Sequence, residues 1–387
     1  MLAQVAWIRG DSNRVSTHLA RIGGLVPGLP DGRAKAQVLS HAARLHALGF
    51  ELERAETLGE EAFAIANRLG LKELQAFTLN NLSVARIYGG NLAGAVELLE
   101  EAAQIAREEH SPELLRVLNN FLVAYGRLGW LQRHDEALEE FERFATELGD
   151  VVLIRFTRGS AVPFTHLLRG RWDEALRTAS AFIAQAEVGE GHRLLGSCYT
   201  LRALIRHARG DSDGALADCD RSATLVDVSD PANTFELAMR GRILLECGRR
   251  EEAIELADRA VELTRSAPFF AHDVSLTFLL HALGRSDEQL RVMPEVADVP
   301  ITRASRLWAS GDIRGAAAVF ASLELAPFGE AFARLAAGRQ FVSERRLDEA
   351  DVELLRAIEL FGRMGAHRYL QEANALLSTV GARAQPG

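Results

Sequence analysis

Apolar residues recur along this chain at helical spacing, and a glycine followed by a polar residue interrupts them again and again. Before Gly210, four apolar residues keep the three- and four-residue spacing of one helix face: Leu201, Leu204, Ile205 and Ala208. A matching stripe follows Gly248 and contains Ala253, Ile254, Ala257, Ala260 and Val261. Because no convincing run alternates in the manner of a strand, the pattern predicts an all-α fold.

The interruptions form an internal repeat. Each copy consists of a glycine, a short polar step and an apolar run that usually contains alanine, and the step between copies is about 36 to 42 residues, shortening near Gly311. Such a period is typical of a helical solenoid. A last copy, Arg346 to Ala350, lacks the glycine. The glycines are Gly10, Gly49, Gly90, Gly129, Gly170, Gly210, Gly248, Gly284 and Gly311.

Each glycine is expected to end one helix, because glycine tolerates the left-handed conformation that closes a helix C-terminus. The Asp, Ser or Glu that often follows suits the start of the next helix, where it can cap free amides. Every repeat is therefore predicted to contain a first helix, a tight turn and a second helix. Pro163 falls inside a predicted first helix, so we expect a kink or a late start there.

The pattern predicts one repeat array over residues 1–380. We expect the array to begin in mid-repeat, because Met1 to Gly10 resembles the second half of a first helix. Residues 291–305 hold two prolines in a shortened repeat and are expected to be irregular. Residues 361–380 form an amphipathic segment that could cap the open end, and residues 381–387 are expected to be a disordered tail.

Composition is that of an ordinary soluble protein, with 48% hydrophobic and 25% charged residues. No apolar run approaches the roughly 18 residues that a membrane span needs, and no N-terminal segment has the layout of a signal peptide. The three cysteines, Cys198, Cys219 and Cys247, form no ligand spacing, so we interpret them as free thiols in a reducing compartment. A cytoplasmic location and no membrane contact are predicted.

Charge and motifs argue against several functions. The net charge of −9 disfavours direct nucleic-acid binding, which needs a basic surface. Lys35 and Lys72 are the only lysines and neither follows a glycine, which excludes a phosphate-binding P-loop and a kinase lysine. The eleven histidines are scattered and form no metal-binding pair. We therefore predict no enzymatic activity, no cofactor and no metal.

The helix–turn–helix units resemble the tetratricopeptide repeat family over nearly the whole chain. Repeats of this length look like the variant in large bacterial regulators of the LuxR and ATPase-linked types, whose closing segment resembles residues 359–373 here. Asn80-Asn81-Leu82 and Asn119-Asn120-Phe121 also look like a helix of kinesin-light-chain repeats. The resemblance implies a right-handed superhelix of about nine to ten hairpins, with a sensing or docking role. It does not transfer ATP hydrolysis or DNA binding.

Two asparagine pairs are the first candidate binding residues. Asn80 and Asn81 lie at the same distances before the turn glycine Gly90 as Asn119 and Asn120 lie before Gly129. The resemblance implies that Asn80 and Asn119 face a concave groove, where a carboxamide can bind a peptide backbone through both donor and acceptor. The alternative is that these amides hydrogen-bond neighbouring helices to each other.

Four arginines in later first helices are the second candidate. Arg202 and Arg240 share a repeat position, with Arg206 one turn beyond Arg202 and Arg242 close to Arg240. Their guanidinium groups could bind a small anionic effector or an acidic peptide. The alternative is ion pairing with nearby carboxylates, namely Glu236, Glu246, Asp218 or Asp220.

The sequence thus predicts a non-enzymatic binding module, the sensory or interaction region of a bacterial transcriptional or signalling regulator. Its groove would hold a peptide, a protein segment or a small effector. The rival interpretation is an assembly scaffold that uses its outer helices and has no effector pocket. A homodimer is compatible with both.

Overall fold

The chain is described from a computed structural model that covers residues 6, 12–149, 151–188, 192–267, 274–292, 299–323 and 327–384. Within those residues the regular structure is entirely helical, which confirms the predicted all-α repeat fold. The chain divides into two compact units. Unit 1 comprises residues 1–157 and 191–193, and unit 2 comprises residues 158–190 and 194–387.

Unit 1 contains three complete hairpins, preceded by one helix and followed by the start of another. A 3-10 turn, Val26–Gly28, follows the first helix. The helices are α1 (Ser12–Leu25), α2 (Arg33–Leu48), α3 (Leu52–Arg68), α4 (Lys72–Tyr88), α5 (Leu92–Glu108), α6 (Glu113–Leu128), α7 (Leu131–Leu148) and α8 (Val151–Gly159), whose last two residues belong to unit 2.

Unit 2 continues the alternation and ends on a long single helix. A 3-10 turn, Pro231–Asn233, precedes one first helix. The helices are α9 (Ala161–Leu168), α10 (Trp172–Val188), α11 (Leu195–Arg209), α12 (Ser212–Ala223), α13 (Thr234–Glu246), α14 (Arg250–Ser266), α15 (Val274–Leu283), α16 (Ser286–Val292), α17 (Pro300–Ala309), α18 (Ile313–Ser322), α19 (Pro327–Ser343), α20 (Leu347–Met364) and α21 (His367–Ala384). The described residues of both units form nine hairpins.

The turns have the predicted chemistry. Gly210 adopts a φ of 97° after α11, and the side chain of Asp211 then accepts a hydrogen bond from the Gly214 amide at the start of α12. Two turns differ from the prediction. Gly49 has a φ of −95°, and Phe50 takes the left-handed conformation instead. In the copy that lacks a glycine, Arg345 takes that conformation.

The expected break near Pro163 is present. The first helix of that repeat stops at Gly159, and α9 restarts after Ser160 with Pro163 in its first turn, where a missing amide donor costs little.

At the C-terminus the predicted boundary at residue 380 is four residues too early, because α21 runs to Ala384. Parts of three expectations lie outside the described residues. They are the predicted start in mid-repeat, the end of the tail at residues 385–387, and residues 293–298 of the segment expected to be irregular. The rest of that segment includes a regular helix that begins on Pro300.

In unit 1 the first helices α2, α4 and α6 contact one another in order and form a continuous inner layer. The second helices α3, α5 and α7 each pack on the first helices beside them. We call the solvent-facing side of α2, α4 and α6 the inner surface of unit 1.

The last helices of unit 2 pack against the helices at its start. Helix α19 contacts α9, and α21 contacts α11. Aromatic side chains fill the space between them: Trp172 faces Phe328 with ring centroids 6.1 Å apart, and Phe332 lies 4.7 Å from Tyr369. Phe278 lies 5.3 Å from Phe332 and completes this core.

Candidate functional site

The paired asparagines of α4 are buried in the layer of first helices. The Asn80 amide nitrogen donates to a Glu113 carboxylate oxygen at 2.6 Å, and its carbonyl oxygen accepts from Asn120 at 2.7 Å. Both partners lie on α6, the next first helix. The Asn80 carboxamide therefore links two repeats through its donor and its acceptor.

The other two asparagines form similar links. Asn81 donates to the backbone oxygen and the hydroxyl of Ser40 on α2, at 3.1 and 3.0 Å, and accepts from Arg116 on α6 at 2.8 Å. Asn119 accepts from the Thr157 hydroxyl on α8 at 2.8 Å. These are the inter-helix bonds that the sequence left open as the alternative. The side chains of Asn80, Asn81 and Asn119 are buried, and that of Asn120 is half-buried. Ligand binding by any of the four stays a prediction.

Glu113 is the acid at the centre of this network. Arg116 donates from one nitrogen to both of its carboxylate oxygens, at 2.8 and 3.0 Å, and the Asn80 amide adds a third hydrogen bond. Burial raises the pKa of Glu113, while Arg116 and the Asn80 amide act in the opposite direction. The three hydrogen bonds hold the buried carboxylate in one position at the start of α6.

A pocket of about 220 Å³ opens on the inner surface beside this network. Phe77 of α4 forms its aromatic wall: the His41 ring packs edge-on at 4.7 Å, and the Arg116 guanidinium lies 5.0 Å from the Phe77 centroid. Aromatic and apolar groups thus meet polar ones within one concave site, as in many ligand pockets. The lining residues are Arg33, Gln37, His41, Glu73, Leu74, Phe77, Ser111, Pro112 and Glu113.

Both signs of charge meet at this site. Burial, together with the charges of Arg116 and Arg44, lowers the pKa of His41 to about 4, so its imidazole is neutral at neutral pH. Burial and the nearby Arg116 also lower the pKa of Arg44 to about 9, against the opposing charge of Glu113. The lining of the pocket holds two carboxylates, Glu113 and Glu73, and Glu73 lies 3.8 Å from Arg33.

A comparison with protein families finds one match, the tetratricopeptide repeat, at residues 78–113. This segment runs through α4 and α5 and includes Asn80 and Asn81. The repeat in this segment is of the tetratricopeptide type. A comparison with curated proteins finds no match.

Two solved structures have a similar arrangement of helices. The crystal structure of NprR in complex with its cognate peptide NprX is 14% identical, covers 93% of this chain and 97% of its own, and gives a TM-score of 0.54. The apo form of the quorum sensor NprR from B. thuringiensis is 13% identical, covers 99% and 97%, and gives a TM-score of 0.46. At 14% identity the likeness to the peptide complex shows the fold alone.

Within unit 2, two of the predicted arginines are ion-paired. Arg202 makes a two-point contact with Asp218 of α12 at 2.8 and 2.7 Å, and Arg206 reaches the same carboxylate at 2.8 Å. Asp218 was one of the partners foreseen in the alternative interpretation. The two guanidinium groups converge on one carboxylate inside the hairpin, and their binding of an external anion stays a prediction.

The other two predicted arginines are buried. Arg242 donates to Glu246 at 2.9 Å, and its guanidinium lies 3.9 Å from the centroid of Phe332 in the aromatic core. Arg240 is 7% exposed, and neither its Nε nor its Nη1 has a hydrogen-bond partner. The structure does not bring the four arginines together on an open strip, because Arg202 and Arg206 share Asp218 while Arg242 belongs to the core.

Sequence reasoning named Glu246 as a possible partner of the arginines but missed that it joins the ends of unit 2. Besides Arg242, Glu246 accepts hydrogen bonds from the Tyr369 hydroxyl and from His207, each at 2.9 Å. Although burial opposes it, the charges and hydrogen bonds of Arg242, His207 and Tyr369 hold the pKa of Glu246 well below its usual range. Tyr369 lies within the closing segment, residues 359–373, that the resemblance singled out, but nothing in the sequence connects Tyr369 with Glu246.

The described residues support neither a metal site nor a membrane span. Within them, no group of three or more His, Cys, Asp or Glu side chains could hold a metal ion. None of their helices is both long and apolar enough to cross a membrane.

Proposed function

We propose that the chain is a non-enzymatic binding module that holds a peptide or protein segment on the inner surface of unit 1. The observation that carries the proposal is the pocket between α2, α4 and the start of α6, with Phe77 and Leu74 beside polar Gln37 and Arg33. An extended segment can place an apolar side chain against Phe77 while its backbone meets the polar rim.

Unit 2 has an opening of its own, a pocket of about 450 Å³ beside α15 and α19 that is lined by His281, Arg339 and Gln340 among others. The face of α13 that would correspond to an inner surface is covered, because Arg242 packs on Phe332 of α19 and Glu246 accepts a hydrogen bond from Tyr369 of α21. A ligand on that face would have to displace this aromatic core, so we place the ligand on unit 1, where the half-buried Phe77 lines an open pocket.

The finer part of the proposal is that the chain is the sensory region of a bacterial transcriptional or signalling regulator in the cytoplasm. Its support is the similarity to NprR, described with a cognate peptide, together with three free cysteines. The rival is a scaffold that binds partners through its outer helices. Trp130, 42% exposed at the turn before α7, is the residue that most favours such a surface.

Selection from a random peptide display library tests the proposal. Gln37 is exposed and lines the pocket, so Gln37→Trp should block it without disturbing the core. Glu60→Trp, which puts the same bulk on an exposed position of the second helix α3, is the matched control.

We expect selected peptides to bind the unchanged protein and the Glu60→Trp variant alike, and to lose at least tenfold in affinity for Gln37→Trp. Equal binding by the two variants would place the ligand elsewhere. A loss confined to a Trp130→Ala variant would favour the scaffold.

A further inference from the structure

A cysteine, a histidine and a glutamate form one hydrogen-bonded chain at the end of α13. The Cys247 sulfur lies 3.7 Å from Nδ1 of His207 on α11, and Nε2 of the same ring lies 2.9 Å from a carboxylate oxygen of Glu246. A thiol within reach of an imidazole that a third group orients is the arrangement of an activated nucleophile. Peptide binding on unit 1 does not involve this cluster.

The hydrogen bonds of His207 decide which of its ring nitrogens carries the proton. Although burial opposes it, the charge of Arg242 and the hydrogen bonds to Glu246 hold the pKa of that carboxyl well below its usual range. An ionised carboxylate only accepts hydrogen bonds, so Nε2 of His207 donates to Glu246. In the neutral ring Nδ1 is then an acceptor, and it faces the Cys247 thiol, with the Ser212 hydroxyl 3.4 Å away.

The thiol needs this base in order to react. Burial raises the pKa of Cys247, and the charge of Glu246 acts in the same direction. Arg368 and Arg249 act in the opposite direction. Because the thiolate is the nucleophile and the raised pKa keeps the thiol protonated at neutral pH, a neighbouring group must accept its proton. His207 Nδ1 is in place to do so, and the Glu246 carboxylate stabilises the imidazolium that results.

Cys247 differs from the other two cysteines in its surroundings. Cys198 and Cys219 are at most 1% exposed, and burial raises the pKa of each to about 12. Cys198 donates to the backbone oxygen of Gly159, which is no base. Cys247 is half-buried, so a small reagent can reach its sulfur. The two buried cysteines therefore serve as internal controls.

We propose that Cys247 is a redox modification site that reacts with small hydroperoxides, of which hydrogen peroxide is the simplest. The sulfur attacks one peroxide oxygen, so that an S–O bond forms while the O–O bond breaks. The sulfur is oxidised to a sulfenic acid and the peroxide is reduced. His207 takes the thiol proton at Nδ1 and returns it to the leaving hydroxide, which departs as water. The oxygen stays on the protein, so the reaction is a modification and not a turnover.

The modification acts on the contact that anchors the last helix. His207 binds Cys247 with one nitrogen and Glu246 with the other. Glu246 also accepts from the Tyr369 hydroxyl of α21 at 2.9 Å, and Arg368 of α21 lies 3.5 Å from the same carboxylate. Oxidation removes the S–H donor and adds an oxygen beside the imidazole. The change passes through His207 to Glu246 and loosens α21.

Mass spectrometry after brief exposure to hydrogen peroxide and a sulfenic-acid probe tests the site, because it quantifies each of the three cysteines separately. The labelling rates are compared between the native protein and the protein in urea, where all three thiols are open to solvent. We expect Cys247 to react faster in the native protein by about tenfold or more. Cys198 and Cys219 should react more slowly there than in urea. If Cys247 does so too, the fold only shields it and the inference is overturned.

His207→Gln tests the base, since glutamine keeps a donor to Glu246 but lacks the basic nitrogen. At neutral pH the variant should lose the native acceleration of Cys247. Its rate should recover as the pH rises towards the raised pKa of the thiol, because the thiolate then forms without a base. His367→Gln, at an exposed position at the start of α21, is the matched control and should react as the unchanged protein does. Equal rates in the two variants would overturn the role of His207.

Hydrogen–deuterium exchange tests the link to α21. Peroxide should speed exchange within residues 367–384 and leave residues 72–88 of unit 1 unchanged, and dithiothreitol should reverse the effect. Cys247→Ser should show no response to peroxide. A sulfenic acid on Cys247 without faster exchange in α21, or the same response in Cys247→Ser, would overturn the link between the modification and this helix.

Discussion

Asn80 is buried in unit 1, and its carboxamide bonds to Glu113 with one end and to Asn120 with the other. A buried carboxylate needs donors, because water cannot replace them. The repeated asparagines that stood out in the sequence therefore help to hold the layer that forms the inner surface.

Asn80→Ala should lower the free energy of unfolding by about 1–3 kcal/mol, since it leaves the Glu113 carboxylate with fewer donors and Asn120 without its acceptor. Chemical denaturation measures the loss. Asn67→Ala, at an exposed position of α3, is the control and should change stability by less than about 0.5 kcal/mol. Similar values for the two variants would show that the buried network adds nothing.

His41 should make unit 1 sensitive to acid. Its folded pKa of about 4 lies below its ordinary value of 6.5, so the folded protein prefers the neutral ring. The stability that this group contributes is fully present above pH 6.5 and is lost as the pH falls towards 4. The stability difference between the unchanged protein and His41→Gln, followed by denaturation from pH 7 to 4, should therefore shrink with falling pH. A difference that stays constant would refute the assignment.

At the scale of elements, most of the repeat could be predicted because it is local. Helical spacing, a turn glycine and an Asp cap such as Asp211 act within a few residues of one another. The shift of the left-handed residue from Gly49 to Phe50 could not be foreseen, since both residues lie in the same turn. Contacts between distant elements were also hidden, because no local pattern links Glu246 with Tyr369 or Glu113 with Asn80.

The last helix, α21, is held to unit 2 through Glu246. Glu246→Gln removes the counter-charge of the buried Arg242 and should cost about 3–5 kcal/mol, the range for breaking a buried ion pair. Amide hydrogen exchange within residues 367–384 should rise. Glu372→Gln is the matched control, since Glu372 lies on α21 and pairs with a more exposed residue, Arg339; it should cost less than about 1 kcal/mol. Equal exchange in both variants would mean that Glu246 does not anchor this helix.

At the scale of the whole molecule, net charge gave a misleading picture of the binding surface. A value of −9 conceals a first-helix layer of opposite sign in unit 1. It also made the arginines of unit 2 look like the natural anion site, although Arg202 and Arg206 are paired with Asp218. Side chains of the candidate pocket, such as His41, Phe77 and Glu113, come from three different helices. No single stretch of sequence identifies them.

Hydrogen–deuterium exchange with a bound display-selected peptide tests most directly whether unit 1 holds its ligand on the inner surface. The peptide should slow exchange in the first helices, residues 33–48, 72–88 and 113–128, and should leave the second helices 52–68, 92–108 and 131–148 unchanged. The same peptide should give no protection in Gln37→Trp. Protection of the second helices, or of unit 2 in place of unit 1, would contradict the proposed site.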